Sequence, residues 1–243
     1  MKRLLNYSLL LFLPVLLGHL ASAGTTLQNS TDRLEDSGAV LTQIAAAPDK
    51  GIPEEVLNNA KCVVVVPHLV KGGFIFGAKH GRGVATCRTE QGWSAPAFIS
   101  VSGGSWGLQI GAEGVDLVML VMNDRGLQHL LSSKFQLTGE GSAAAGPVGR
   151  HASAGTDWKL NAELLTYSRS RGIFAGLTLE GAVVEQDADS TTAIYGRDLS
   201  FRSILTGNVA SPSSAASFLS AIADVDQRAK AHEDKEHAQN SQK

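Results

Sequence analysis

The chain has 243 residues, 43% of them apolar, and a formal net charge of −2 from 21 basic and 23 acidic side chains. That balance excludes a general nucleic-acid binder, which needs lysine and arginine clustered over a whole face. The length suits one domain, with enough apolar material for its core.

Residues 1–23 read as an export signal. Lys2 and Arg3 form a positive start, Leu4 to Leu20 is an apolar run, and Ala21-Ser22-Ala23 is an A-x-A cleavage site. The run is interrupted by Asn6, Pro14 and His19 and is short for a bilayer core of ~30 Å. An uncleaved membrane anchor is the competing reading. The first cysteine is Cys62, so no lipid-attachment cysteine follows the run. Cleavage would remove two positive charges and no acid, taking the net charge from −2 to −4. The mature part would be one domain over 24–227 and a polar tail over 228–243.

Residues 24–31 are polar and expected to be loose. A helix is predicted from about Asp32 to Ala47, with Asp32 and Glu35 at capping-box spacing and Leu34, Leu41 and Ile44 near one face. A short second helix starts at Pro53, carries Glu54 and Glu55 in its first turn, and ends near Ala60. Cys62-Val63-Val64-Val65-Val66, closed by Pro67, is a β-branched run that predicts a strand buried on both faces. Short strand-like pieces follow at 73–78, 83–88, 94–101, 105–112 and 116–122. Eleven of the 26 glycines lie between Gly72 and Gly114, a density that marks tight turns, bulges or close strand approach. Asn123-Asp124 caps a helix ending near Leu131, and further strands are predicted at 162–168 and 172–185. A helix is expected over 198–205, and another opens at Ser211-Pro212 with Phe218, Leu219, Ile222 and Val225 on one side. Arg228 to Lys243 is charged and lacks large apolar residues, which predicts disorder. The fold class is α+β: a glycine-rich, mainly antiparallel sheet curled towards a barrel and flanked by terminal helices.

Four chemical readings arise from the residues. Gly103-Gly104-Ser105-Trp106-Gly107 matches G-x-S-x-G, whose serine, with His129 or His151 as base, would act as a hydrolase nucleophile. That motif requires a strand-to-helix turn, and the glycine-rich segment after it does not read as a helix. The histidines show no metal-ligand spacing, the glycine loops lack a nucleotide fingerprint, and no cofactor is implied. Cys62 and Cys87, 25 residues apart, either bridge or stand as two buried thiols. Finally, no acid lies between Glu55 and Glu90, while Lys61, Lys71, Lys79, Arg82 and Arg88 do. With Phe74, Ile75 and Phe76 among them, this window suits an anionic membrane surface, and equally a strand meander with solvated lysines.

A set of short motifs runs in order from about Gly51 to Gly207. They are Ile52-Pro53, Asn59-Ala60-Lys61, Lys71-Gly72-Gly73-Phe74, Gly81-Arg82-Gly83-Val84 and Trp93-Ser94-Ala95-Pro96. The set continues with GAEGVDLV over 111–118, Gly146-Pro147-Val148-Gly149-Arg150 and Tyr167-Ser168-Arg169-Ser170-Arg171-Gly172. It closes with Phe174-Ala175-Gly176 and Leu179-Glu180-Gly181. In this collinear order the chain resembles the SYLF-domain family of lipid-binding modules, here as a bacterial exported member. The resemblance implies non-enzymatic binding of anionic phospholipid head groups at an envelope membrane, with the protein periplasmic or secreted. Lys71, Arg82, Arg150, Arg169 and Arg171 would meet phosphate, and Phe74 the apolar surface. No segment reads as the SH3 or FYVE domain that accompanies eukaryotic members, so their actin and endocytic roles are not carried over. An envelope protein-interaction module is the remaining alternative.

Overall fold

The computed structural model describes residues 5–47, 51–73, 76–106, 111–138, 142–147, 162–170, 173–175, 179 and 181–240. Helix α1 (Leu5–Ala45) is followed by the short α2 (Glu54–Asn59). Strands β1 (Cys62–Gly73), β2 (Phe76–Thr89), β3 (Gly92–Trp93), β4 (Ala97–Trp106) and β5 (Gly111–Val121) then form a meander. After α3 (Asp124–Leu131) come β6 (Lys134–Gln136), β7 (Ala143–Ala145), β8 (Leu164–Ser170), β9 (Ile173–Ala175) and β10 (Val183–Gln186). Helices α4 (Ala188–Tyr195), α5 (Phe201–Leu205) and α6 (Ala216–Asn240) complete the fold.

The strands form one sheet in the order β6-β10-β4-β2-β1-β5-β8-β7, with β3 beside β2 and β9 beside β8. Among the described residues only β7 and β8 pair in parallel. The covalent chain forces this sheet to curl. Gln136 ends β6 and Ala143 begins β7, so a reach of at most ~25 Å joins the two edges. Eight strands laid flat at ~4.8 Å spacing would hold those edges ~34 Å apart. The α+β architecture with a curled sheet and helices in both terminal regions is as the sequence implies.

Each face of the sheet carries its own core, and β1 feeds both. Cys62, Val64, Val66 and Leu69 point into the concave side, and Val63 and Val65 into the convex side. Period-two alternation in a run that is apolar throughout places each face against a separate layer. The convex core is completed by Leu34, Leu41 and Ile44 of α1, Leu57 of α2, and Phe218, Ile222 and Val225 of α6. On the concave side, Leu130 and Leu131 of α3 with Phe201, Ile204 and Leu205 of α5 close one end. That end is where Val121 of β5 pairs with Cys62, because α3 follows directly.

Three local expectations are corrected. Residues 24–31 are helical, not loose: α1 runs through them, the Ser30 and Thr31 hydroxyls bond to carbonyls four residues back, and Ser30 is buried. Asp32 and Glu35 therefore lie inside the helix and do not cap it. At the other terminus α6 continues to Asn240, through the stretch whose composition predicts disorder. Ala229 is buried there and Lys230 donates to Asp226 one turn back at 2.8 Å, so a polar run keeps its helix by docking one small residue. The entry to α6 is a 3-10 turn, Ser213–Ala215, after Pro212, with no side-chain cap.

Cys62 and Cys87 are directly opposed on β1 and β2. Their sulfurs are bonded at 2.05 Å with Cα atoms 3.9 Å apart, closer than the usual ~5–6 Å.

Candidate functional site

The β1 strand does not stop at Pro67. Proline has no N–H for the ladder, and the strand bulges there, with the register slipping between Val65 and Val70 against β2 and between Val66 and Leu69 against β5. His68 takes a φ of +54°, a left-handed value that a side chain resists. Its N–H donates to Asp116 Oδ1 at 3.2 Å, which holds the bulge in place. Opposite lies Gly81-Arg82-Gly83. A Cβ on Gly83 would stand 2.1 Å from the Val65 carbonyl oxygen, and one on Gly81 would stand 2.8 Å from the Val66 and Leu69 side chains. These glycines fit the bulge.

Beyond the bulge β1 and β2 stay paired as far as their last described residues. Lys71 pairs with Lys79, and Gly73 with Gly77. Val70 is 51% exposed, one of the few exposed large apolar residues described.

The sequence-predicted site residues do not share one surface. By alternation Lys71 belongs to the concave side with Leu69, while Arg82 and Arg169 belong to the convex side with Val84 and Tyr167. Arg169 Nη2 donates to Asp116 Oδ2 at 2.8 Å and its Nη1 to Gln43 Oε1 of α1 at 2.5 Å. Arg82 Nε lies 3.8 Å from Asp187 Oδ2. Asp187 is buried and also accepts from Arg33 Nη1 at 3.1 Å and from Ser190. Burial pulls the Arg33 pKa down, Asp187 pulls it up, and the neighbouring Arg82 lowers it further. Arg82 and Arg169 thus lie beside acids and side chains of the helices packed on that face. Phe74, Arg150 and Arg171 lie outside the described residues.

The acid-free window is balanced in space by acids from elsewhere in the chain. Lys61 meets Asp124 at 2.9 Å, Lys71 meets Glu113 at 3.9 Å, and Arg88 meets Asp226 at 2.5 Å. Arg88 also donates to the Leu57 and Ala60 carbonyls and lies over the Trp93 ring at 4.5 Å.

The serine motif loses its context. Ser105 lies within β4, in register with Gly77, and the next described element is β5, not a helix. His129 sits on α3 at the closed end, its Nδ1 2.8 Å from Glu163 Oε2. Eleven steps of β1 separate that end from the hairpin end, on the order of 35 Å. Ser105 and His129 cannot form a nucleophile–base pair, and His151 lies outside the described residues. Among the described residues no group of three or more His, Cys, Asp or Glu could hold a metal. Among them too, no helix is long and apolar enough to cross a membrane.

Comparison with known proteins defines the class. The family model described as "Ysc84: Las17-binding protein actin regulator" matches residues 102–225. The chain belongs to this Ysc84 (SYLF-domain) family. It is 36% identical over 168 residues to the SH3 domain-containing protein PJ696.02 of Schizosaccharomyces pombe, covering 68% of this chain and 39% of that protein. It is 35% identical over 170 residues to the SH3 domain-containing YSC84-like protein 1 of Rattus norvegicus, covering 69% and 50%. With the LAS seventeen-binding protein 3 of Saccharomyces cerevisiae the identity is 32% over 168 residues, covering 68% and 36%. The match thus spans half or less of these relatives' own length. Two of these relatives are named for an SH3 domain and one for binding LAS seventeen.

Proposed function

We propose that the protein binds anionic phospholipid head groups without catalysis, at an envelope membrane surface, through the β1–β2 hairpin of its curled sheet. The observation that carries this reading is at that hairpin: Val70 is exposed to solvent, and the next residue along β1 is the basic Lys71. An apolar group that can enter the interface next to basic groups that meet phosphate is what peripheral binding needs, each basic group contributing ~1 kcal/mol. Phe74 belongs to the same tip by sequence. The reading includes export to the periplasm or beyond, supported by the A-x-A site and by the Cys62–Cys87 bridge, which persists in oxidising compartments.

Vesicle co-sedimentation tests it. Negligible binding is expected to phosphatidylcholine alone. Binding is expected to vesicles containing phosphatidylglycerol, weakening as salt rises because exposed charges are screened over ~10 Å at 0.1 M. Phe74→Ala should weaken binding to a degree that salt hardly changes. Absence of binding to anionic vesicles at low salt would overturn the proposal. One observation favours a second reading: a relative is named for binding Las17, and a protein partner on the same basic end would then be retained without lipid.

A further inference from the structure

Resting on the reading above, and naming the surface it uses, we infer that the convex side of the β1–β2 hairpin is what meets an anionic membrane. Val70 enters the interface, and His68, His80 and Arg82 around it supply positive charge, so that binding strengthens in acid. The two sides of the hairpin differ in exposure. Over 78–83 of β2 the alternation is strict: Ala78, His80 and Arg82 are exposed, and Lys79, Gly81 and Gly83 are buried. Val84 belongs to the convex core, so counting back from it in twos puts the exposed set on the convex side. Past the bulge β1 repeats the pattern, with His68 and Val70 exposed on either side of the buried Leu69. Lys71 shares the side of Leu69 and is met by Glu113 at 3.9 Å. A broad surface approaching this hairpin therefore meets the convex set.

The register sets Val70 among small neighbours. Its partner on β5 is Gly114, where an added Cβ would meet nothing within 4 Å. One row further along, Gly72 pairs with Ala78 and Ala78 with Gly104, where a Cβ would meet only the Gly77 carbonyl oxygen, at 3.9 Å. An apolar side chain standing over such a floor can enter a bilayer interface without drawing bulky polar neighbours in with it. The acids on this side are already met. Asp116 accepts from Arg169 at 2.8 Å and from the His68 N–H, Glu185 meets Lys134 at 3.1 Å, and the buried Asp187 is shared by two guanidiniums, Arg33 at 3.1 Å and Arg82 at 3.8 Å. Two cations on one carboxylate leave a positive excess, and the Arg82 side chain is half exposed. Across the ladder His80 faces Val70 on β1 and Ser102 on β4, and the next convex residue along β2 is Arg82. The His68 side chain is 77% exposed, with its Nδ1 3.7 Å from Asp116 Oδ1. Imidazoles gain their charge between roughly pH 8 and pH 5, while the phosphodiester of a phospholipid stays ionised. Acid therefore adds positive charge beside Val70 and takes none from the membrane.

The test is co-sedimentation of the full chain with phosphatidylcholine vesicles, with and without phosphatidylglycerol, at about pH 7.5 and about pH 5.5. Wild type is compared with Val70→Thr, His80→Gln, His68→Asn and the double histidine variant. All three positions are exposed, so the variants should fold, and asparagine tolerates the left-handed backbone at 68. Wild type should bind phosphatidylglycerol vesicles at least about fivefold more tightly at the lower pH. Each histidine replacement should remove about fivefold there and little at the higher pH, and the double variant should lose the pH response. Val70→Thr should cost about fourfold at both pH values, to a degree that salt hardly changes. Wild-type binding to anionic vesicles with Val70→Thr and both histidine variants unchanged overturns this face and leaves the lipid reading standing on another. A pH response that survives in the double variant overturns the histidine assignment. Equal binding to phosphatidylcholine alone at the lower pH overturns charge as its cause. No binding to anionic vesicles at either pH in low salt overturns the lipid reading, and this surface with it.

Discussion

Two glycines of the same sheet should respond oppositely to a single methyl group. At Gly83 an added Cβ would meet the Val65 carbonyl oxygen at 2.1 Å and the Val66 side chain at 2.9 Å, and a strand carbonyl held in the ladder has little room to yield. Gly83→Ala is expected to cost more than ~3 kcal/mol, beyond the ordinary range of overpacking. At Gly104 the nearest atom would be 3.9 Å away and the residue is exposed, so Gly104→Ala should stay within ~0.5 kcal/mol of wild type. Chemical denaturation of the two variants checks the pair. Equal losses would mean that the bulge at Pro67-His68 relaxes to admit the methyl, and that the Gly81-Arg82-Gly83 motif is not fixed by it.

At the scale of elements, Arg88 latches α6 and α2 to the end of the central strand β2. It meets Asp226 of α6, donates to two carbonyls at the end of α2 and covers Trp93. Arg88→Ala strands a carboxylate and two acceptors together, and should cost ~2–4 kcal/mol in denaturation experiments. Burial pushes the Asp226 pKa up, but the bonds from Arg88 and Lys230 outweigh it and hold the carboxyl below its ordinary 3.8. A depressed folded-state pKa means that the latch is at full strength above about pH 4 and is lost as pH falls through the folded value. Stability measured between pH 5 and 2 should therefore fall less steeply in Asp226→Asn than in wild type. Identical slopes would show that Asp226 titrates alike in both states. Elements with strong local signals were legible in the sequence: the valine run of β1, and α3, whose Asn123 side chain accepts from Gly126 N–H. Those built from small or polar residues were not. β7 is three alanines, α4 is Ala-Asp-Ser-Thr-Thr-Ala-Ile-Tyr, and the last turns of α6 carry no large apolar residue. The site was half legible. The basic window is plain in the chain, but the acids that answer it arrive from Asp124, Asp187 and Asp226, far along the sequence.

Across the whole molecule the disulfide joins the two central strands at the closed end. A bridge enclosing a loop of 25 residues contributes ~3 kcal/mol by restricting the unfolded chain. Reduction should lower the melting temperature by ~6–12 °C for a domain of this size; no change on complete reduction would leave packing alone holding that end. The placement of α1 has a consequence for synthesis. Its buried arginine waits for Asp187, 154 residues later, and the convex core that covers its apolar face waits for Phe218 and Ile222. The helix therefore lacks its docking partners until Phe218 and Ile222 have been made, and contacts of such long range form slowly. The same feature that ties the finished domain together leaves the growing one unclosed for most of its synthesis.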